Sequence, residues 1–373
     1  MRILIISDAW HPQVNGVVRT LEATIRELNL MGHQVQTIGP DRTARWTFPA
    51  PTYPDITLEF FANRRIESAI TQFQPELIHI ATEGPLGLAA RQVCLEHKLP
   101  FTTSFHTRFP EYLAARVPRW LAAPVRIATY FAMRRFHAPS SAVMVATPSI
   151  EAALRKQRFR NLARWTRGVD TNIFQPYGKD FPAYAELPRP ILLYVGRVAV
   201  EKNLPAFLEL RTTGSKVVIG DGPDLPIFKT KHPEVHFLGK KSGEELGRHY
   251  AAADLFVFPS HTDTFGLVLF EACAAGLRIA SYPAPGPIDV FCEPMTTKFA
   301  ILDKDLQRAV DRALALPDNP ALPRAYAEQF SWRSCTEQFF NNLQLPTPKA
   351  VKRITRFREW LKRWWRHFRP QKG

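Results

Sequence analysis

Short apolar runs alternate with longer amphipathic stretches twice along this chain, and a proline-dense segment separates the two series. In the first, Arg2–Ile6, Gln34–Ile38, Leu77–Ile80 and residues 100–105 and 142–146 have the length and composition of buried strands, with helical spacing at Asn63–Phe73 and 85–97. A further strand is expected near residues 56–60. The second series runs through Ile191–Val195, 216–219, 236–239 and Leu255–Phe258. Strands that are apolar on both faces, each followed by a helix, predict parallel sheets covered by helices. A chain of 373 residues is long enough for two such units. The expected organisation is a first α/β domain over residues 1–174, a linker over 175–190 containing Pro176, Pro182, Pro188 and Pro190, and a second α/β domain over 191–330. An amphipathic helix follows at 331–345, and residues 346–373 form a compositionally separate tail.

Sheets of this kind gather ligands beyond the carboxyl ends of their strands, and the second series carries its most distinctive residues there. In FPSHTDTFGLVLFEACAAG, residues 258–276, Pro259 stops a strand, a polar turn follows, and an apolar helix resumes from Phe265. The amides of Phe265, Gly266, Leu267 and Val268 would open at the positive end of that helix, a ready place for a phosphate or a row of hydroxyls. Asp263 and Glu271 would lie roughly 12 Å apart along a helix axis, about the length of a nucleotide-sugar. The same two acids also read as a helix cap and a satisfied surface carboxylate. Upstream, GRVAVEKNL places Arg197 and Lys202 around a turn after a strand. A forked guanidinium contact and a point ammonium contact suit a diphosphate; a solvated lysine at a helix start is the alternative.

In the first series Gly16 stands where the loop HPQVN turns into a helix, and it would let a diphosphate approach the backbone. A plain helix-start glycine is the other reading. The loop from Asp8 to Gly16, the strand-end group Thr82, Glu83 and Gly84, and His106 directly after a strand are the three candidates at the carboxyl ends of this sheet, a structural histidine being the other reading of His106. No G-x-G-x-x-G follows a strand, so the dinucleotide fingerprint is missing. Residues 108–137 interleave Arg116, Arg119, Arg126, Arg134 and Arg135 with Trp120, Tyr130, Phe131 and Phe136. That fits either a surface helix pair with snorkelling arginines or a lip that touches lipid headgroups. Asp303 and Asp305 form a DxD at a helix start, Asp221 and Asp224 flank a turn, and no metal is expected from either pair. Cys94, Cys273, Cys292 and Cys335 are scattered without CxxC spacing, as in a reducing compartment.

The formal net charge of +15 requires an anionic partner. Much of it sits in residues 349–372, where ten Lys/Arg face one acid, Glu359, among three Trp and two Phe. Ile354, Phe357, Leu361, Trp364 and Phe368 share one helical stripe, so residues 349–369 suit an anionic membrane surface. Nucleic acid could use the same cations, but no reading element accompanies them. MRILIISDAW is too short an apolar start for a signal peptide, and no stretch approaches the length of a membrane span. The expectation is a cytoplasmic protein, peripheral on the inner face of the membrane.

DTFGLVLFEACAAG resembles the acidic-x7-Glu signature of family 4 retaining glycosyltransferases of the GT-B superfamily, with Asp263 where Glu is usual. PQVNGV, SFHTRFPEY, RGVD, GR-x4-KN and GDGP are similar, in the same order, to that family's opening loop, lipid-directed histidine motif, cleft-floor turn, phosphate clamp and GxGP turn. The resemblance spans residues 2–345 and points within the family to bacterial and plant membrane-lipid glycosyltransferases of the sulfolipid-synthase and α-mannosyltransferase kinds. It implies two Rossmann-like parallel-sheet domains facing a cleft, the first for the acceptor and the second for the nucleotide-sugar, with the C-terminal helix crossing back to the first domain. It also implies retaining hexose transfer from a nucleotide-sugar, UDP-hexose or GDP-mannose, to a membrane lipid such as diacylglycerol, with no cofactor and no metal. In the scheme drawn for such enzymes the departing phosphate takes the acceptor proton, so no protein nucleophile is required. By the same resemblance Arg197 and Lys202 clamp the diphosphate, with the Gly16 loop beside it. Asp263 and the amides of Phe265, Gly266, Leu267 and Val268 face the donor sugar and its phosphate, Glu271 holds the ribose, and His106 hydrogen-bonds a donor hydroxyl near the reacting carbon. The competing readings are the same fold with a soluble or polysaccharide acceptor, and a catalytically silent sugar-nucleotide or nucleic-acid binding protein.

Overall fold

The structure, a computed structural model, describes residues 1–12, 15–50, 53–114, 116–261 and 265–345. The expectations for Asp263 and for the basic tail at 346–373 therefore fall outside the described residues. The chain forms two compact units. The first holds Met1–Ala146, Ile150–Thr166 and the described residues from Thr336 on; the second holds Thr147–Ser149 and Arg167–Cys335.

The strands of the first unit are, in chain order, β1 (Arg2–Ile6), β2 (Gln34–Ile38), β3 (Thr47–Ala50), β4 (Tyr53–Glu59), β5 (Leu77–Ile80), β6 (Thr102–Phe105), β7 (Val143–Val145) and β8 (Leu162–Arg164). Six of them make one parallel sheet in the order β2-β1-β5-β6-β7-β8. β1 is central and buried along Ile3–Leu4–Ile5–Ile6, which is why its sequence is apolar without alternation. Leu4, Ile6, Ile78 and Ile80 pack with Leu86, Ala90 and Val93 of the helix Pro85–Glu96. Phe105, Val143 and Val145 pack with Met133, Ile150 and Leu154.

The expected strand near 56–60 exists but does not join this sheet. It is β4, and it pairs antiparallel with β3 as a separate hairpin, Thr47 opposite Glu59 and Phe48 opposite Leu58. Residues 108–137 form two helices, Phe109–Ala114 and Arg119–His137.

The second unit contains β9 (Ile191–Val195), β10 (Ser215–Ile219), β11 (His236–Phe237), β12 (Leu255–Phe258), β13 (Arg278–Ser281) and β14 (Ala300–Leu302), all parallel, in the order β11-β10-β9-β12-β13-β14. The chain winds outward from β9 to β11 and then returns to the other side of β9 with β12, so the winding reverses between β9 and β12. Leu192, Tyr194, Val218, Leu255 and Val257 pack here with Phe207, Ala309 and Val310. β13 and β14 go beyond the strands read from sequence. β13 opens on a buried Arg278, whose guanidinium donates to the carbonyls of Leu314 (3.0 Å) and Leu316 (2.7 Å).

The proline-dense segment 175–190 lies within the second unit and is fastened to it. Arg189 donates to both carboxylate oxygens of Asp254 (2.7 Å each), Lys179 bridges Asp254 and Asp318, and the buried Tyr184 hydroxyl meets His249 Nδ1 at 3.0 Å. The helix Trp332–Leu343 ends in the first unit. There Gln338 Oε1 accepts from the Thr166 amide and hydroxyl, Asn342 donates to the Arg164 carbonyl, and Phe339 packs between Trp165 and His79. No described helix is long and apolar enough to cross a membrane.

Candidate functional site

β9 and β12 are hydrogen-bonded neighbours, and the segments leaving their carboxyl ends carry the residues singled out in the second series. After β9 the chain is held on its own sheet. The Tyr194 hydroxyl donates to the Arg197 carbonyl (2.8 Å), and the Val198 amide donates to the Asp221 carbonyl (2.9 Å). The GDGP turn lies flush against this loop, because a Cβ on Gly222 would stand 2.0 Å from the Val198 carbonyl oxygen. Arg197 is exposed from this fixed backbone. The chain then makes a single 3-10 turn, Val200–Lys202, and leaves it through Asn203 in the left-handed conformation, φ 53. Asparagine tolerates that conformation better than most residues. Its side-chain amide donates to the Pro259 carbonyl at 3.1 Å, lacing the Lys202 turn to the end of β12.

Beyond β12 the helix Leu267–Ala274 is apolar almost all round because it is buried almost all round. Gly266 begins it at φ 79, a left-handed turn that suits glycine. Leu267 and Val268 head the helix, where amides have no acceptor within the helix itself. Glu271 sits in the next turn and is buried rather than at the surface; its Oε2 accepts from the Tyr250 hydroxyl at 2.9 Å. Because the helix starts at Leu267, helical rise separates only Leu267 from Glu271, roughly 6 Å. The roughly 12 Å expected between Asp263 and Glu271 involves a residue outside the described ones.

The first sheet reverses between β1 and β5, and there the polar groups turn inward. Asp8, just past β1, is buried; Oδ1 accepts from the Leu86 amide (2.8 Å), and Oδ2 from the Gly87 amide (3.1 Å) and the Thr82 hydroxyl (2.8 Å). It caps the helix Pro85–Glu96, whose own cap position is Gly84. Burial pushes the Asp8 carboxyl up from its ordinary range while these hydrogen bonds oppose the rise. Glu83 meets buried His137 Nε2 at 3.2 Å, and His137 Nδ1 meets Thr103 at 2.9 Å. The strand-end group Thr82, Glu83 and Gly84 thus serves the interior of the unit.

Gly16 is exposed at the head of the helix Gly16–Leu30, where Asn15 Oδ1 already accepts from the amides of Val17 (2.9 Å) and Val18 (3.1 Å). His106 directly follows β6, largely buried, its ring edge-on to Trp165 with centroids 5.6 Å apart. The Asp170 carboxylate accepts from the amides of Asn172 and Ile173, a local turn. In the DxD, Asp305 caps the helix Leu306–Leu314, and hydrogen bonds from Arg308 hold the Asp303 carboxyl well below the usual carboxylate range. Among the described residues no group of three or more His, Cys, Asp or Glu is arranged to hold a metal. The second unit thus brings Arg197, Lys202, Leu267, Val268 and Glu271 onto segments that leave two adjacent strands. Sequence reasoning gave no role to Asn203 or Tyr250, and gave Asp8 only a place in the candidate loop that runs to Gly16, not its capping role. Asn203 stood inside a recognised string, and its tolerance for a left-handed backbone was the available signal. Tyr250 and Asp8 gave none, because their partners lie 21 and 78 residues away.

Residues 14–173 match the model of Glycosyltransferase Family 4, and residues 179–330 that of Glycosyl transferases group 1. The chain is 27% identical over 372 residues to sulfoquinovosyl transferase SQD2 of Arabidopsis thaliana, across 91% of this chain and 72% of the relative. It is 26% identical over 314 residues to the GDP-mannose-dependent alpha-mannosyltransferase of Mycobacterium tuberculosis, across 78% and 81% of the two chains. Alpha-monoglucosyldiacylglycerol synthase of Streptococcus pneumoniae is 26% identical over 351 residues, across 85% of this chain and 79% of that one. Among solved structures, sucrose-phosphate synthase from Thermosynechococcus elongatus superposes with a TM-score of 0.69 at 19% identity, covering 91% of this chain and 97% of the other. Anabaena HepE, solved with UDP-glucose, superposes with a TM-score of 0.65 at 16% identity, covering 92% and 99%.

Proposed function

From the premise that this chain is a glycosyltransferase of GT-B architecture, a Glycosyltransferase Family 4 domain followed by a glycosyl transferases group 1 domain, we propose that it transfers a hexosyl group from a nucleotide-sugar to a membrane lipid such as diacylglycerol, retaining the donor's anomeric configuration. The observation that carries the lipid acceptor is a relative matched over 85% of this chain whose product is a glucosyldiacylglycerol. UDP-hexose is the preferred donor, supported by the fold neighbour that holds UDP-glucose. GDP-mannose is the second reading, favoured by the mannosyltransferase relative.

The donor's diphosphate is placed at the β9/β12 reversal. Arg197 and Lys202 meet it as exposed and half-buried cations, and the amides heading the helix Leu267–Ala274 meet it with the positive end of a dipole. These groups oppose the negative charge that grows on the diphosphate as the bond to the sugar breaks, which is why the transfer is proposed to proceed without a metal. Glu271, held by the Tyr250 hydroxyl, is assigned to the ribose hydroxyls. Asp263 keeps its proposed place facing the donor sugar, with Phe265 and Gly266 beside it. In the first unit Gly16 is assigned to the phosphates and His106 to a donor hydroxyl. The test is nucleotide release by the purified protein with a panel of UDP-hexoses and GDP-mannose, against a detergent-solubilised lipid extract and against soluble sugars and polysaccharides. A glycolipid product is expected. Transfer only to the soluble acceptors would overturn the lipid reading.

A further inference from the structure

We propose that the hairpin β3–β4 and the turn that follows it form a membrane-contact surface that takes the interface of an anionic bilayer. The proposal rests on the lipid-acceptor reading above and names the part of the first unit that meets the lipid.

A hairpin lying on a globular surface ordinarily turns its polar side chains outward. This one does the reverse. Thr47 pairs with Glu59 and Phe48 with Leu58, and the Phe60 amide extends the ladder to the Trp46 carbonyl at 2.9 Å. Two-residue periodicity therefore puts Trp46, Phe48, Leu58 and Phe60 on one face and Thr47 and Glu59 on the other. The apolar face is the exposed one: Trp46 is 47% exposed, Phe48 50%, Phe60 38%, and the adjoining Phe61 76%. Their rings make a continuous patch, with Phe48–Phe60, Trp46–Phe61 and Phe60–Phe61 centroids 6.2, 5.9 and 6.5 Å apart.

The inner face is locked. Buried Glu59 accepts from Arg65 Nε (3.1 Å) and Nη2 (2.5 Å) and from the Asp41 amide (2.7 Å), while the Thr47 hydroxyl donates to the Asp41 carbonyl (2.8 Å). The hairpin is thus held with its rings outward and cannot turn them in without breaking the ion pair of buried Glu59 with half-buried Arg65.

Charge selects the occupant. Arg42, Arg45 and Arg64 are exposed around the rings, with the Arg45 guanidinium 5.6 Å from the Trp46 ring centre. Arg64 stands in the first turn of the helix Asn63–Phe73, where the dipole disfavours a cation; an anionic surface gives it a reason to be there. Among the described side chains here, Glu59 is held by Arg65 and Asp41 by the Thr43 amide and hydroxyl. Tryptophan and phenylalanine bordered by arginine suit the headgroup boundary of a bilayer. A second copy of this chain, with the same arginines and a net charge of +15, would be repelled from the patch.

The experiment uses the full chain with the exposed Cys292→Ser and an environment-sensitive NBD label at Phe48→Cys. The control label is at Ile227→Cys, an exposed position on the second unit. With phosphatidylglycerol–phosphatidylcholine vesicles, the label at 48 is expected to shift to the blue and to be quenched by spin-labelled lipid, while the label at 227 is unchanged. The combined variant Trp46→Ser, Phe48→Ser, Phe61→Ser, with an unaltered thermal melt, is expected to lower partition onto these vesicles about tenfold. Vesicle binding without a response at 48 overturns the hairpin proposal and leaves the lipid-acceptor reading standing. Failure of that reading shows separately, as the absence of glycolipid from the detergent-solubilised extract. A blue shift that needs no vesicles and grows with protein concentration assigns the patch to self-association and overturns the proposal, as does the absence of any partition.

Discussion

Arg197 and Lys202 leave the end of one strand and are fixed by different means, the first by a backbone clamped to the GDGP turn, the second by the hydrogen bond from Asn203 to the β12 end. These contacts do not involve the charged groups, so removing either charge is expected to leave the fold intact. Arg197→Ala or Lys202→Ala is expected to slow turnover about a hundredfold, with no change in the thermal melt; near-native rates in both would remove the diphosphate assignment. Glu271 is the opposite case, a buried carboxylate held by the Tyr250 phenol. Tyr250→Phe deletes only that hydroxyl, and the loss of a hydrogen bond to a charged group is expected to raise the KM for the donor about tenfold with a smaller effect on kcat. Steady-state kinetics with varied donor distinguishes this from a structural lesion, which would lower kcat and the melting temperature together.

Among the elements, the helix Pro85–Glu96 depends on a residue far away in sequence. Asp8 takes two of its first-turn amides, and with alanine there those amides are buried without an acceptor. Asp8→Ala is expected to lower stability by about 2–4 kcal/mol, measured by denaturant titration, and Asp8→Asn by less. The helix Gly243–Ala252 supplies a pH dependence. Burial holds His249 at about 4 against an ordinary 6.5, so it is neutral in the folded chain while the unfolded chain still takes up a proton. Between those two values the unfolded state binds more protons, and stability falls as pH drops through the window. The melting temperature should decline on acidification across it, and His249→Gln should flatten that decline.

These elements also show what could be read from the residues. β1, β9 and β12 were legible because a central parallel strand is buried on both faces and its sequence records that as an apolar run without polar alternation. β3 and β4 broke the rule of alternation, since they follow one another with no helix between and pair with each other, not with the sheet. β13 was hidden by Arg278, whose charge is satisfied by carbonyls that only the fold assembles. The same holds at the candidate site. Arg197, Lys202 and Glu271 were visible in local strings, whereas Asn203 as a tie to β12 and Tyr250 as the support of Glu271 needed the sheet order to bring them within reach.

At the scale of the whole molecule, the chain is two α/β units of one plan, each wound outward and back from its first strand. They differ in what they do at the reversal. In the first unit the strand ends are filled by Asp8, Thr82 and Glu83, hydrogen-bonded among themselves and to buried partners. In the second the strand ends carry exposed and half-buried cations and the head of a helix. That asymmetry is what supports the proposal that the donor binds the second unit, and calorimetric titration of the purified chain with UDP and with GDP, repeated for Lys202→Ala, tests it most directly. The account expects one of the two nucleotides to bind without added metal and its affinity to fall at least about tenfold in the variant. Failure of both to bind, or binding that Lys202→Ala leaves unchanged, would contradict it.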